Sequence, residues 1–543
     1  MDSRHREELI EKIKNETFDL LVIGGGVLGA SVALDATLRG VKTVLIEKND
    51  FASGSSSKST KVFNTELQMP KWSKLPNFLR KGRQRWITNR IVPHMVRPER
   101  SLIPIIKNGK FTAEEMDKLI RNYELIGGVE WYEQRKHWTV KKTREYEWWL
   151  QRPDLLSSIL YTEYITDDAR ITTELIKTAG RSGALSLNYT EVLELNYLKG
   201  KVCGASVKEK FSHDEFEIKA KCVVLATGPA GDSIFKREKS SPKRAVELSK
   251  GAHIVIPYRL LPLEHTLYFE GPDGQMHYAI PRGISSYVGT TENKFTGDKN
   301  DLRVTANEVL YLLRAINFCM PNLKIKFDEV SSSWAGLRPR VFKKDNGEFN
   351  IHPDVQVHKS TSGLISVTGG DLSSYRLTGK KVATKVLRHL NGHWSNSKTK
   401  RYPLDLSKWR DRVHVNDILF DVVSYVNNIG MFAYSGRYLI RTYGKIGRYI
   451  IYMGKSDHMN PEVQVTVNET YHSLRYENIQ TLCDFFIRRT ARIYFDIDSI
   501  RMTRSHVCGI MAEELGWDEQ RIQEEQAALD KEIERATVFV LDD

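Results

Sequence analysis

Three glycines and a glutamate near the start of the chain have the spacing of a nucleotide-binding turn. The segment GGGVLG contains Gly24, Gly26 and Gly29, and Glu47 follows about twenty residues later. In such a turn the first glycine allows a tight bend, the second lets the backbone approach a pyrophosphate, and the third lets a helix pack closely on a strand. The Glu47 carboxylate would accept a hydrogen bond from a ribose hydroxyl.

The residues around this turn predict the elements that would position it. Residues 18–23 form an apolar run that predicts a buried strand, residues 30–38 predict a helix, and residues 41–46 predict a second buried strand. The pyrophosphate would lie at the helix N-terminus, where unpaired N–H groups and the helix dipole favour an anion. The glycines alone also fit a purely structural turn, but the complete strand–helix–strand unit favours dinucleotide binding.

A loop rich in small and hydroxyl residues follows Glu47. It reads KNDFASGSSSKSTK over residues 48–61 and contains Ser55, Ser56, Ser59 and Thr60. Such a loop can surround the ribityl chain and phosphates of a flavin, and the same composition also fits a flexible surface loop. The composition of the loop leaves both interpretations open.

Several further motifs occur along the chain in a fixed order. They are TDDAR at 166–170, CVVLATGP at 222–229, KGAHIV at 250–255, YVGTT at 287–291, SWAGLRP at 333–339 and FFIRRTAR at 485–492. Together with the loop after Glu47, they resemble the motifs of the FAD-dependent glycerol-3-phosphate dehydrogenases and the related glycerophosphate oxidases. The resemblance covers nearly the whole chain.

The resemblance implies an α/β fold in which an FAD-binding Rossmann-like domain is interleaved with an antiparallel-sheet substrate domain, followed by a C-terminal helical domain. The expected divisions are an N-terminal helix at 1–16, the interleaved domains at 17–405 and the helical domain at 406–543. Within the helical domain, Arg488, Arg489 and Arg492 by themselves indicate a solvated or ion-paired helix face.

The resemblance also implies which residues form the site. His253 would take the substrate's hydroxyl proton or orient the substrate, and Arg338 would hold its phosphate. Ser373 would lie in the first turns of a second helix facing the flavin, although a simple helix cap fits the sequence equally well. No metal is expected. The implied cofactor-binding residues are Gly24, Gly26, Gly29, Glu47, Ser55, Ser56, Ser59, Thr60, Val192, Ala226, Gly228, Gly370, Leu372 and Ser373.

Three places depart from the family's pattern. Residues 64–69 read NTELQM where the family has His-Gly-Gly-Leu-Arg-Tyr, so Gln68 and Met69 replace an Arg-Tyr pair at the substrate. Pro353 lies where a second phosphate-binding arginine is expected, and Asp371 replaces a lysine near the flavin. An ionised Asp371 about 4 Å from reduced flavin would cost roughly 4 kcal/mol at an effective dielectric constant of about 20, and less if it faces solvent.

Composition limits the class of protein. A hydrophobic content of 41% with a negative mean hydropathy predicts a soluble chain rather than an integral membrane protein. The five cysteines lie far apart without a CxxC pair, which argues against zinc or a disulfide framework and fits a reducing compartment. The net charge of +13 suits an anionic neighbour such as a lipid surface, or simply solubility, and no specific nucleic acid is expected.

Three functions fit the sequence. The first is FAD-dependent oxidation of glycerol 3-phosphate to dihydroxyacetone phosphate, with electrons passed to a quinone. The second is an impaired or inactive family member, a pseudoenzyme that serves as a structural or interaction subunit of a larger assembly. The third is a flavin oxidase for a different small substrate. The resemblance further implies peripheral membrane contact at the mitochondrial inner membrane, with the bacterial cytoplasmic face as the alternative.

Overall fold

Two β-sheets, the helices that pack on them and a group of C-terminal helices make up the described chain. The computed structural model describes residues 1–63, 75–127, 129–230, 238, 245–345, 348–352, 355–392, 395–404, 409, 412–453 and 460–541. The strands are β1 Thr17–Ile23, β2 Thr43–Ile46, β3 Arg97–Ile106, β4 Lys136–Trp138, β5 Leu155–Ile165, β6 Leu185–Leu187, β7 Thr190–Leu198, β8 Lys201–Glu209, β9 Glu215–Leu225, β10 Ala245–Pro257, β11 Thr266–Glu270, β12 Met276–Arg282, β13 Ser285–Gly289, β14 Asn293–Phe295, β15 Ser332–Asp345, β16 Glu348–His352, β17 Gln356–Lys359 and β18 Ile365–Thr368. The helices are α1 Arg6–Asn15, α2 Val27–Thr37, α3 Leu75–Ile91, α4 Ala113–Gly127, α5 Val140–Tyr146, α6 Asp168–Arg181, α7 Ala306–Cys319, α8 Tyr375–Leu390, α9 Arg412–Asn428, α10 Ala433–Tyr443, α11 Ile446–Tyr452, α12 Pro461–Tyr476, α13 Arg492–Phe495, α14 Ile497–Leu515 and α15 Glu519–Thr537.

The first sheet is built around β1. Its strand order is β17–β18–β9–β1–β2–β6, and the β7–β8 hairpin extends from β9. β1 runs parallel to both of its neighbours, β2 and β9. Successive β1 side chains alternate between two apolar layers, because Leu20 and Val22 pack with α2 while Leu21 and Ile23 pack on the opposite face. Both faces are therefore buried, which explains the continuous apolar run in the sequence.

The second sheet is mostly antiparallel and lies between two groups of helices. Its order is β16–β15–β10–β13–β12–β11–β3–β5–β4, with β14 paired to β10. Ile254 of β10 packs in the layer that contains α7, whereas its neighbour Val255 packs in the layer that contains α14 and α15. This alternation along β10 fixes which side chains face each group of helices.

Buried ion pairs join the C-terminal helices to the first sheet. Arg488 and Arg489, at the end of a π-helix over Asp484–Arg489, both pair with Asp50 in the loop after β2. Arg492 pairs with Glu469 of α12. The sequence left open whether these arginines form a solvated or an ion-paired helix face. The structure shows that they are ion-paired, so the prediction of a solvated face is wrong.

The predicted architecture, an α/β domain interleaved with an antiparallel sheet and followed by helices, is confirmed. The helix after the glycine turn begins at Val27 instead of residue 30, because Gly26 already has the extended backbone of an N-cap. The division expected at 405/406 lies at residues outside the described part and stays a prediction. Among the described residues, no helix has the length and apolar character needed to span a bilayer.

Candidate active site

The turn between β1 and α2 has room only for glycine at two of its positions. Gly24 has a φ of +112°, and a Cβ on it would lie 2.6 Å from the Ala226 carbonyl oxygen at the end of β9. A Cβ on Gly29 would lie 1.9 Å from the carbonyl oxygen of Gly24. The two glycines therefore let β1, β9 and α2 converge, as the sequence predicted for a tight turn and close helix packing.

The start of α2 faces the serine-rich loop. Gly26 is the N-cap of α2, and the Val27 N–H donates to Ser56 Oγ at 2.9 Å. A Cβ on Gly26 would lie 3.0 Å from the same oxygen. Gly228, just beyond Ala226, has a φ of +54° and open space around its Cβ position. The predicted pyrophosphate site thus has a half-exposed helix N-terminus beside an open glycine.

Glu47 lies at the end of β2, where its carboxylate organises the turn. Its oxygens accept the N–H of Gly25 at 2.7 Å and the N–H of Asn49 at 3.0 Å. Burial raises the pKa of Glu47, and these two N–H donors oppose the shift. The Thr190 N–H donates to the Glu47 carbonyl, and Val192 lies two residues further along β7, buried. A ribose-binding role for Glu47 stays a prediction.

A second helix start lies close to the first. Gly370 has a φ of +100°, and a Cβ on it would lie 3.7 Å from Leu28 Cδ1 of α2. Asp371 is exposed, and its Oδ1 accepts hydrogen bonds from the Ser374 N–H at 2.7 Å and from the Ser373 hydroxyl at 2.6 Å. Leu372 and Ser373 belong to the short 3-10 turn that Asp371 caps. The acid therefore serves as a helix cap, which is a structural reason for its presence.

His253 is enclosed by aromatic and backbone groups in the second sheet. It lies on β10 between Gly289 of β13 and Trp334 of β15. The imidazole stacks on the Trp334 ring with centroids 4.7 Å apart and planes 6° apart. A Cβ on Gly289 would lie 2.1 Å from the imidazole Cδ2. His253 Nε2 lies 3.1 Å from the Thr60 hydroxyl, so the serine-rich loop reaches the second sheet at this histidine.

The surroundings of His253 disfavour its charged form. Burial, followed by the charges of Lys61 and Arg338, lowers the pKa of His253 to about 3. Within the described residues, its buried Nδ1 has no hydrogen-bond partner. The imidazole is therefore neutral at ordinary pH, and whichever of its two nitrogens carries no hydrogen has a lone pair that can accept a proton.

The sequence analysis did not single out a buried ion pair beneath this loop. Lys61 Nζ lies 2.5 Å from Asp168 Oδ1, and both side chains are almost fully buried. Asp168 also accepts the Ser59 N–H at 2.8 Å, and Lys61 donates to the Ser57 carbonyl. Both residues belong to quoted motifs, STK and TDDAR, so the signal was present, but their pairing depends on the fold.

Some of the remaining predicted residues make contacts in the structure, and the others lie outside the described residues. Ser55 donates to the carbonyl of Leu337, next to Arg338, whose exposed side chain is close enough to His253 to affect its charge. Gln68, Met69 and Pro353 lie outside the described residues. The cofactor-binding and catalytic roles of the predicted residues stay predictions.

Comparison with known proteins agrees with this arrangement of turn, loop and sheet. The family model described as FAD dependent oxidoreductase matches residues 19–383, and that described as the C-terminal domain of alpha-glycerophosphate oxidase matches residues 398–522. The aerobic glycerol-3-phosphate dehydrogenase of Bacillus subtilis is 32% identical, with 99% of this chain and 98% of the relative covered. The chain belongs to the FAD-dependent glycerol-3-phosphate dehydrogenase family.

Other family members agree in sequence and in structure. The aerobic glycerol-3-phosphate dehydrogenase of Staphylococcus haemolyticus is 30% identical, with 99% of this chain and 98% of the relative covered. The crystal structure of the glycerol-3-phosphate dehydrogenase from Bacillus halodurans complexed with FAD has a TM-score of 0.83 and 32% identity, with all of both chains covered. These relatives are bacterial and give no support to a mitochondrial location, to an inactive subunit or to a different oxidase substrate.

Proposed function

We propose that this protein is an FAD-dependent dehydrogenase that oxidises glycerol 3-phosphate to dihydroxyacetone phosphate. The observation that carries the proposal is the nearly full-length match to two glycerol-3-phosphate dehydrogenases, at 32% identity over 99% and 100% of this chain. A match of this length includes the nucleotide turn, the serine-rich loop and the strands around His253. The neutral imidazole at their junction supplies the base that alcohol oxidation needs.

The residues of the turn fit FAD. The half-exposed N-terminus of α2, with Gly26 as its cap, offers N–H groups to a pyrophosphate. Gly370 brings the start of the second helix beside Leu28, where a side chain would collide with Val355. Bound at this turn, FAD would supply the hydride acceptor for oxidation at C2 of the substrate. The protein's own task is then to hold the substrate and to take the proton.

His253 is the group that we expect to take the proton from the C2 hydroxyl. Its Nε2 faces Thr60 in the predicted flavin loop, and we expect this nitrogen to accept the proton. The stacked Trp334 ring holds the imidazole plane, so the nitrogen keeps one direction throughout the reaction. Burial keeps His253 unprotonated before the substrate arrives.

Arg338 is the residue that we expect to bind the phosphate. Its guanidinium is exposed and can form the paired hydrogen bonds that a phosphate accepts. Gln68 and Pro353 replace two further contacts that the family pattern predicts, so we expect a weaker hold on the phosphate. Asp371 is exposed and caps its own turn, and solvent screening reduces its repulsion of reduced flavin.

We also propose a quinone as the electron acceptor and a position at the surface of a membrane. The name of the bacterial relatives, aerobic glycerol-3-phosphate dehydrogenase, supports a respiratory acceptor. The positive net charge of +13 suits an anionic lipid surface. Because the relatives are bacterial, the cytoplasmic face of a bacterial membrane is favoured over the mitochondrial inner membrane. Membership of a protein complex stays a prediction.

Anaerobic absorbance spectroscopy tests the proposed reaction. The purified protein should have a flavin band between about 350 and 500 nm that bleaches when glycerol 3-phosphate is added. Glycerol, which lacks the phosphate, should bleach the band far more slowly, and His253→Gln should keep the band while losing most of the bleaching rate. A flavin band that glycerol 3-phosphate leaves unchanged would contradict the proposed substrate, and the absence of a band would contradict FAD binding.

A further inference from the structure

Helix α10 begins against the β12–β13 turn and ends against α6. At its start, a Cβ on Gly283 in the β12–β13 turn would lie 2.0 Å from Tyr434 Cε2, so the tyrosine ring rests on this turn. At its end, the Arg170 guanidinium of α6 donates to the Thr442 carbonyl at 3.4 Å. Helix α10 therefore bridges the β12–β13 turn and α6.

Four arginines form a cluster on α10 and beside its contacts with the β12–β13 turn and α6. Arg437 and Arg441 lie one and two helical turns after Tyr434, on the same side of α10. Arg282 directly precedes the glycine on which Tyr434 rests. Arg97 begins β3, opposite Ile165 at the end of β5, and so lies near the start of α6.

Carboxylates neutralise only part of this charge. Asp167 pairs with Arg282 at 2.5 Å, and Glu99 lies 3.5 Å from Arg97. In the part of the chain that the structure describes, no carboxylate lies within ion-pair distance of Arg437 or Arg441. The cluster of four arginines therefore carries more positive than negative charge.

The arginine charges repel each other at short range. Arg97, followed by burial, lowers the pKa of Arg441 to about 9, although Glu99 opposes the shift. Among the described residues, the buried Nε of Arg441 has no hydrogen-bond partner, and the Nε of Arg97 faces only Glu99, at 3.5 Å. An unpaired donor beside repelling cations raises the free energy of this cluster of arginines, and an anion bound between them would remove both costs.

We propose that the arginine cluster formed by Arg97, Arg282, Arg437 and Arg441 binds a phosphate-class anion. Guanidinium groups form paired hydrogen bonds with phosphate oxygens, and several of them can hold one multivalent anion. The ligand is either a free phosphate compound or the phosphate of an anionic lipid headgroup, because both present the same oxygens.

The arginine cluster is separate from the phosphate site proposed at Arg338. In the second sheet, β15 with Arg338 and β12 with Arg282 are separated by β10 and β13. Three strand spacings correspond to about 14 Å, several times the distance between C2 and the phosphorus of a three-carbon phosphate. The inference therefore does not depend on the proposed activity.

Thermal unfolding of the FAD-loaded protein tests this site without turnover. Inorganic phosphate and pyrophosphate should raise the unfolding midpoint of the wild type above that in chloride at equal ionic strength. Arg441→Gln should weaken the apparent affinity tenfold or more. Arg501→Gln, which changes an exposed arginine on α14, is the matched control, and it should keep the shift. Arg437→Gln, at an exposed position of the same helix face, replaces Arg441→Gln if that variant does not fold.

Vesicle sedimentation distinguishes the two sources of phosphate. Binding to phosphatidylglycerol vesicles, but not to phosphatidylcholine vesicles, that is lost in Arg441→Gln would assign the site to lipid headgroups. A shift with free pyrophosphate alone would assign it to a soluble phosphate compound. The proposal is overturned if Arg441→Gln responds to the anions and vesicles as the wild type does, or if the wild type responds to none of them.

Discussion

The imidazole of His253 combines three features that suit a base. It is neutral because it is buried beside two cations, it is oriented by the Trp334 ring, and one of its nitrogens lies 3.1 Å from the Thr60 hydroxyl. A neutral imidazole that accepts a proton during the reaction becomes a cation in a poorly solvated place. The transfer is therefore favourable only while a negative charge, such as that of reduced flavin, develops nearby.

Replacing His253 by glutamine should change how stability depends on pH. The unfolded histidine has a pKa near 6.5, but the folded one has a pKa of about 3, so the unfolded chain binds more protons between these values. His253 therefore lowers stability as the pH falls below about 6.5, by up to roughly 1.4 kcal/mol for each pH unit. Urea unfolding at pH 7, 6 and 5 should show a smaller loss in His253→Gln than in the wild type. Parallel losses in the two proteins would contradict a depressed pKa.

Replacing Asp50 by asparagine should destabilise the protein strongly. Burial alone would raise the pKa of Asp50, but Arg489 and Arg488 lower it to about 2, so the carboxylate is charged at neutral pH. Asparagine would remove the counter-ion that two buried guanidiniums share, leaving Arg488 with Asp484 and Arg489 with the more distant Glu477, at a cost of about 3 kcal/mol in the free energy of unfolding. Urea unfolding followed by tryptophan fluorescence measures this change.

Asp498 provides the control for the Asp50 variant. It pairs with Arg501 on α14, and both side chains are more than four-fifths exposed, at 84% and 82%. Asp498→Asn should change the free energy of unfolding by less than about 0.5 kcal/mol. A similarly small effect of Asp50→Asn would mean that the buried pairs contribute little to stability.

At the level of elements, the contact between β1 and α2 depends on Gly29. Gly29→Ala should force α2 away from the turn, because the new methyl group would lie 1.9 Å from the Gly24 carbonyl oxygen. We expect a loss of about 1–3 kcal/mol in the free energy of unfolding, together with weaker flavin retention. Gly509→Ala, within α14 where nothing lies within 4 Å of the Cβ position, should instead stabilise by up to about 1 kcal/mol. Equal effects of the two substitutions on flavin retention would contradict a specific role for the turn.

The glycine turn could be predicted from the sequence because all its parts are local. Gly24, Gly29 and Glu47 are close in the chain, and their spacing alone specifies a strand, a turn and a helix. The environment of His253 could not be predicted in this way, because Trp334 reaches it only through the register of β10 with β15. The capping role of Asp371 was missed because its partner is a backbone N–H, and family comparison alone suggested a charge facing the flavin.

For the whole molecule, buried charges connect the two ends of the chain. Glu477, at the end of α12, accepts hydrogen bonds from Arg170 and Lys177 of α6, at 2.7 and 2.9 Å. Together with the pairs at Asp50, these contacts cross between the first sheet and the C-terminal helices. Removing one partner leaves charges buried on both sides, so we expect the two parts to unfold together.

Glu477→Gln should therefore lower the stability of the flavin site and of the helical region at the same time. Flavin release, followed by fluorescence, and loss of helix, followed by circular dichroism, should shift together to lower temperature. Glu462→Gln is the control, because Glu462 accepts a hydrogen bond from the Ser435 hydroxyl and burial raises its pKa. Glutamine can accept the same bond, so this variant should have little effect. Separate shifts of the two signals in Glu477→Gln would contradict joint unfolding.

The pair between Asp50 and Arg489 also sets an order of events during protein synthesis. The two residues are 439 positions apart, so a ribosome makes the second roughly 20–90 seconds after the first. Throughout that interval the loop after β2 has emerged without the guanidinium that will hold it. Stable capture of the cofactor should therefore wait until translation is nearly complete, and nascent chains released before Arg489 should leave the ribosome without flavin.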